Sequence, residues 1–218
     1  MKQLSVFLGI ALVLPILAAD SNATVVKSRT QRVELPAGGS IRFANSSGEL
    51  TIEGWDQPAV EITVTKSIYI RGRREKKPLD TSGDLAAPVA AVKTEGNTLL
   101  IGLGRGEHDV DLEYSIKIPR AARLEINHDH GEVNIAGVTG DIHATSRYGP
   151  IVLRLPADGH YAIDAHCRIG SVYSDFSGDE KRHHLFGESF AGAESAAPQK
   201  LNLKVGMGDV IILKTRER

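Results

Sequence analysis

Three histidines in the middle of the chain have the spacing of metal ligands. In His128-Asp129-His130 the two imidazoles are two positions apart, an interval that puts side chains on the same side of a strand. His143 is a candidate third ligand from a neighbouring strand, and such a set suits Zn²⁺ or Cu²⁺. The competing account is a polar turn before Gly131 whose imidazoles face water, and no cofactor is expected. His183-His184 lies in a loop-like stretch and is a weaker pair.

Nucleophilic chemistry has thinner support. Cys167, the only cysteine, has His166 beside it, but adjacent residues on a strand point to opposite faces. Ser46, Ser146 and Ser174 have no recognisable base and orienting acid around them. Acids are spread over Asp109, Asp111, Asp129, Asp141, Asp164 and Asp175. Asp109 and Asp111 share one face of a strand, as do charges on any solvated face, so no catalytic residue is assigned.

Two features could bind rather than react. Trp55, in Gly54-Trp55-Asp56-Gln57-Pro58, could stack on a sugar or cap the core at a corner. Arg71, Arg73 and Arg74 open the basic run to Lys77, which reads as a solvated loop tip or a site for phosphate, lipopolysaccharide or anionic lipid. Lys214 to Arg218 is a second, weaker basic end. Overall the charge is balanced, with 26 Lys and Arg against 27 Asp and Glu, so no nucleic acid is expected as a partner.

The first residues predict export. Lys2 precedes an apolar run from Leu4 to Leu17, and Ala18-Ala19 and Ala23 offer small residues for signal peptidase. The run is shorter than the roughly 20 residues that span a bilayer, so residues 1–19 are expected to be a cleaved signal peptide, with cleavage as late as 23. No transmembrane segment then remains. A single domain is expected over 24–218, with insertions near 71–91 and 178–199. With one cysteine, its stability must come from packing and hydrogen bonds rather than disulfides.

Short strands must position all of these residues. Period-two alternation recurs and helical periodicity hardly appears. The clearest case is Val60-Glu61-Ile62-Thr63-Val64, with Val60, Ile62 and Val64 on one face and polar residues on the other. That predicts a hairpin-paired or edge-paired strand, since parallel strands buried on both sides are apolar on both. Val110 to Ile118 alternates in the same way and stops at Pro119. In the second half a Gly-led phrase returns at Gly131, Gly140, Gly149, Gly170 and Gly208, the first three nine residues apart. Such spacing fits a strand and a tight corner, two units to a rung. The stretch 71–91 breaks the pattern as a long loop, and Gly178 to Gln199 as a flexible insertion or short helix.

Gly48-Glu49-Leu50-Thr51-Ile52-Glu53-Gly54-Trp55-Asp56, followed by Val60 to Val64, resembles the opening of the bacterial putative-adhesin family of β-strand-repeat domains. Leu124-Glu125-Ile126, Gly131 to Ile135 and the echoes ending at Leu153 resemble its body, and the likeness runs from about Val33 to Leu213. The resemblance implies an all-β, right-handed β-solenoid-like stack with flanking antiparallel strands, exported to the envelope, and brings no catalytic residues. A β-sandwich is the alternative architecture, built from similar strands with less regular turns.

The expectation is an exported, non-catalytic envelope or cell-surface protein, located in the periplasm or outside the cell. It would be an adhesin-like binding or structural module for glycan, lipid or protein. The alternative is a secreted polysaccharide-acting β-helix lyase or hydrolase, which would need carboxylates converging in a groove.

Overall fold

The computed structural model describes residues 22–71, 90–103, 110–182, 187–193 and 199–215. Among these residues the chain is all-β, with no helix. The first half holds β1 (Asn22–Glu34), β2 (Ser40–Ser47), β3 (Glu49–Trp55), β4 (Ala59–Arg71), β5 (Ala91–Glu95), β6 (Thr98–Gly102) and β7 (Val110–Pro119). The repeat region follows as β8 (Arg123–His130), β9 (Val133–Ala136), β10 (Ile142–Tyr148), β11 (Ile151–Pro156), β12 (Tyr161–Ile169) and β13 (Val172–Ser174). The chain closes with β14 (Asp179–Arg182), β15 (Glu188–Ala193), β16 (Gln199–Met207) and β17 (Val210–Thr215).

These strands make two mixed sheets. Sheet A has the order β1-β4-β7-β3-β9-β11-β17-β13, and sheet B the order β14-β15-β12-β16-β10-β8-β2-β6-β5. Consecutive strands pass from B to A at a corner in the rungs β2/β3, β8/β9, β10/β11, β12/β13 and β16/β17, and β6 and β7 take the corresponding places in the two sheets as a sixth, β6/β7. In both sheets these six rungs stack in one spatial order: β12/β13, β16/β17, β10/β11, β8/β9, β2/β3, β6/β7. Pairing within the stack is parallel, and β1, β4, β5, β14 and β15 flank it in antiparallel pairs. The stack is not in chain order. The last rung inserts between β10/β11 and β12/β13, and β2/β3 lies between β6/β7 and β8/β9.

Parallel register explains the core. In sheet B, Ile41, Leu124, Ile142, Leu201 and Ile163 are register partners in turn, all buried. In sheet A, Val172, Val210, Ile151, Val133, Leu50 and Tyr114 form the matching inward row. Each such side chain contributes about 1.5–3 kcal/mol when fully buried, so the apolar position of every strand fixes which face turns inward.

The Val60 strand buries Val60, Ile62 and Val64 as expected, but it is neither an edge strand nor half of a hairpin: it lies second in sheet A, antiparallel to β1 and β7, because β1 covers the edge it would otherwise form. Elsewhere the structure adds strands. Between Gly178 and Gln199, where the sequence suggests a loop or short helix, β15 pairs antiparallel with β12 and carries β14 outside it. β1 begins at Asn22 and β5 at Ala91, both in stretches without clear alternation. Both are sheet edges, where a strand needs little apolar surface and charge discourages further pairing. Residues 72–89, which hold most of the expected first insertion, lie outside the described residues, as does the expected signal peptide.

Candidate functional site

The three candidate histidines are not brought together. His128 is buried and His130 is exposed, although both lie on β8. Alternation stops where the chain turns at Gly131, so the last ring swings out. His143 is exposed on β10, opposite Glu125 rather than beside the other two. Among the described residues no group of three or more His, Cys, Asp or Glu side chains is arranged to hold a metal ion.

Sequence reasoning missed what His128 does touch. The Ser46 hydroxyl lies 2.6 Å from its Nδ1, and both side chains are buried. Ser146 is the register partner of His128 on the other side and donates to the Gly149 carbonyl at 3.1 Å. Burial holds the His128 pKa below its ordinary value, against the smaller opposing pull of the Gly131 carbonyl and the Asp129 carboxylate. A hydroxyl beside a neutral imidazole resembles half of a hydrolytic site, but Ser46 has no solvent-accessible surface. Cys167 is sealed in the same way: its thiol donates to the Gly208 carbonyl at 2.8 Å, and burial pushes its pKa up.

The remaining candidates are dispersed. Asp164 faces out from sheet B, Asp111 from sheet A, and Asp175 is tied to the Lys214 amide and the Tyr173 hydroxyl. Trp55 is half-buried at its corner, with its indole N–H donating to the Ala59 carbonyl at 2.8 Å. Arg32 and Lys117 lie 5.2 Å and 5.7 Å from its ring centroid. Asp109, Arg73, Arg74, His183 and His184 lie outside the described residues, as does the side chain of Arg71.

Two surface arrays do converge. The first crosses the outer face of sheet B, where Arg42, Glu125, His143, Asn202 and Asp164 are register neighbours on five parallel strands. Arg42 pairs with Glu125 at 2.7 Å, and the Asn202 amide donates to Asp164 at 2.9 Å. The Asn202 side-chain carbonyl is buried and has no hydrogen-bond partner among the described residues. Ser40, Arg123 and Lys200 complete a shallow groove there with Arg42, His143 and Asn202.

The second array is the B-to-A corner. Gly48, Gly131, Gly149, Gly170 and Gly208 turn it with φ between 112° and 136°, a region L side chains rarely adopt. They stack closely enough that a Cβ on Gly149 would meet the Gly131 carbonyl, and one on Gly131 would meet that of Gly48. Gly140 leads a similar phrase but turns the opposite corner, against Ala122. Immediately before four of the stacked glycines stand Ile169, Met207, Tyr148 and His130, adjacent in register and all exposed. The His130 and Tyr148 rings stack at 4.9 Å. The residue preceding each Gly-led phrase was the sequence signal for this row.

No family model matches the chain, and no curated protein matches it. Among solved structures it is similar to a putative cell adhesion protein from Clostridium sporogenes, with TM-score 0.48 and 13% identity over 88% of this chain and 100% of that one. It is also similar to a putative adhesin from Bacteroides fragilis, with TM-score 0.32 and 12% identity over 86% of this chain and 97% of that one. A putative adhesin from Parabacteroides merdae gives TM-score 0.25 and 9% identity over 87% and 79% of the two chains. At these scores the likeness to adhesin-named bacterial proteins assigns neither a family nor a function to this chain.

Proposed function

We propose that the protein is an exported, non-catalytic binding module of the cell envelope or surface, and that the outer face of sheet B is its binding face. The observation that carries this reading is the five-strand row Arg42, Glu125, His143, Asn202 and Asp164, with exposed His143 at its centre between the Arg42–Glu125 and Asn202–Asp164 pairs. A rigid parallel ladder holds these donors and acceptors about 4.8 Å apart, so an extended ligand meets a fixed array rather than mobile loops. The arrangement does not favour the lyase or hydrolase alternative. Its acids face different directions, and the Ser46 and His128 pair is closed to substrate.

Two measurements test this. A fusion to a reporter enzyme that is active only outside the cytoplasm reports export, and an inactive fusion rejects it. Purified protein is then incubated with separated envelope glycan, lipid and protein fractions, alongside a variant carrying Arg42→Ala and His143→Ala. Retention by one fraction, weakened in the variant, supports the reading. No retention by any fraction, or equal retention of both proteins, sinks it.

A further inference from the structure

We propose that the corner row Ile169, Met207, Tyr148 and His130, with Arg147, Arg168 and Lys204 beside it, is a docking surface for a lipid bilayer that carries anionic headgroups. The inference rests on the binding-module reading and names the partner of one part of that sheet. Single exposed apolar side chains are ordinary, but a contiguous run of them marks an interaction site. Here Ile169, Met207 and Tyr148 are 37%, 46% and 42% exposed on three successive rungs. With His130 stacked on Tyr148, the row runs roughly 14 Å along the corner at the usual strand spacing.

The positions before the row on the outer face of sheet B are cationic, while Asp209, exposed just past Gly208, is an acid tied to the Ser171 amide. Arg147 and Arg168 are exposed one residue before Tyr148 and Ile169, and Gly206 lies at the same level between their strands. Gly206 carries no side chain for a steric reason, since a Cβ there would fall 2.6 Å from the Arg147 carbonyl oxygen. The outward row therefore has a gap between two guanidinium groups, and Lys204 stands two residues back on the same strand. Asp129 lies 3.7 Å from Arg147 and offsets part of its charge. Arg168 and Lys204 make no ion pair with any described residue.

Apolar tips beside a cationic band match the boundary between acyl chains and headgroups. Ile and Met would enter the acyl edge, Tyr148 would sit at the interface, and the cations would meet lipid phosphates. The opposite flank sets the tilt. Glu49, Asp111, Glu113 and Glu132 line a hollow on the sheet A side of the corner, so an anionic surface is repelled there and approaches from sheet B. A glycan fits the row less well, because Ile169 and Met207 offer neither hydrogen bonds nor a flat ring.

The test is sedimentation of purified protein with mixed phosphatidylcholine and phosphatidylglycerol vesicles, compared with phosphatidylcholine alone. Binding is expected only to the anionic vesicles, weakening as salt is added. Each removed cation is expected to lower partitioning about fivefold, so the double variant Arg168→Ala with Lys204→Ala falls on the order of twentyfold. Met207→Ser is expected to lower it severalfold, whereas Lys93→Ala, on edge strand β5, leaves it unchanged. Thermal unfolding of each variant checks that these exposed substitutions keep the fold. Absence of vesicle binding, equal binding to neutral vesicles, or wild-type binding by the double variant overturns the proposal. If vesicles fail while an envelope fraction retains the protein through Arg42 and His143, the lipid surface alone is rejected. Failure with every fraction rejects the binding module as well.

Discussion

The Ser46 hydroxyl stands 2.6 Å from Nδ1 of His128 inside the core, on the parallel strands β2 and β8. The hydrogen bond satisfies one ring nitrogen, while Nε2 has no hydrogen-bond partner among the described residues. Protonating this ring would place a charge where little surrounds it but the Ser46 hydroxyl, the nearby Gly131 and His130 carbonyls, and the flanking Asp129 and His130 side chains.

Stability is therefore expected to fall with pH. The folded ring has a pKa below its ordinary 6.5, because burial disfavours the imidazolium. Above about 6.5 neither folded nor unfolded protein protonates this group, and its contribution is fully present. As the pH drops below that value the unfolded chain binds the proton first, so stability is lost until the folded pKa is reached. Denaturant midpoints at about pH 7.5 and about pH 5.5 should differ more for wild type than for His128→Gln. Equal differences would remove His128 as the cause.

The glycine corner predicts a contrast between two alanine substitutions. Gly149 has φ 115° and its missing Cβ would meet the Gly131 carbonyl, so Gly149→Ala combines backbone strain with a clash inside the stack. A loss on the order of 3 kcal/mol is expected. Gly38 has φ 67° with nothing within 4 Å of a Cβ, so Gly38→Ala should cost about 1 kcal/mol from conformation alone. Similar losses in urea unfolding would mean that close stacking is not what the corner requires.

These two sites mark where the sequence was readable. Alternating aliphatics such as Val60, Ile62 and Val64 state which face is buried, because burial acts on each residue separately. The Gly-led phrase marks corners, because positive φ is a local demand. Rung order is different: β16/β17 enters between two earlier rungs through pairings with β10 and β12, which no local pattern encodes. The Ser46 and His128 contact is hidden for the same reason, as its partners are 82 residues apart. The His128 and His130 pairing failed through geometry, since period two holds along a strand and lapses at its corner. The exposed row before the glycines was legible, but only once those glycines were known to stack.

Trp55 is expected to act as a corner cap. It is the only tryptophan, so its fluorescence reports this corner alone. Trp55→Phe removes the hydrogen bond to the Ala59 carbonyl and should cost about 1 kcal/mol. Arg32→Ala removes one of the two flanking cations and should cost about 0.5–1 kcal/mol. An unchanged unfolding midpoint in Trp55→Phe would transfer the residue from the cap to the binding surface.

Phe190 is expected to tie the stretch between Gly178 and Gln199 to the core. Phe190 is 1% exposed, and its ring fills space that two glycines leave open. A Cβ on Gly178 would lie 2.5 Å from Phe190 Cζ, and one on Gly192 would lie 3.1 Å from Cε1. Phe190→Ala should therefore cost about 3–5 kcal/mol, a large value for a segment whose sequence is rich in charge and small residues. The loss should also be local. β14 pairs with β15, and β15 is anchored to β12 with Phe190 opposite Ala165, so loosening this ring frees both outer strands while the β8, β10 and β16 ladders persist. Amide exchange in the variant should rise across 179–182 and 188–193 before it rises in β8 or β10. A uniform rise would instead make Phe190 part of one cooperative unit with the central rungs. Little change in stability would make the two outer strands dispensable.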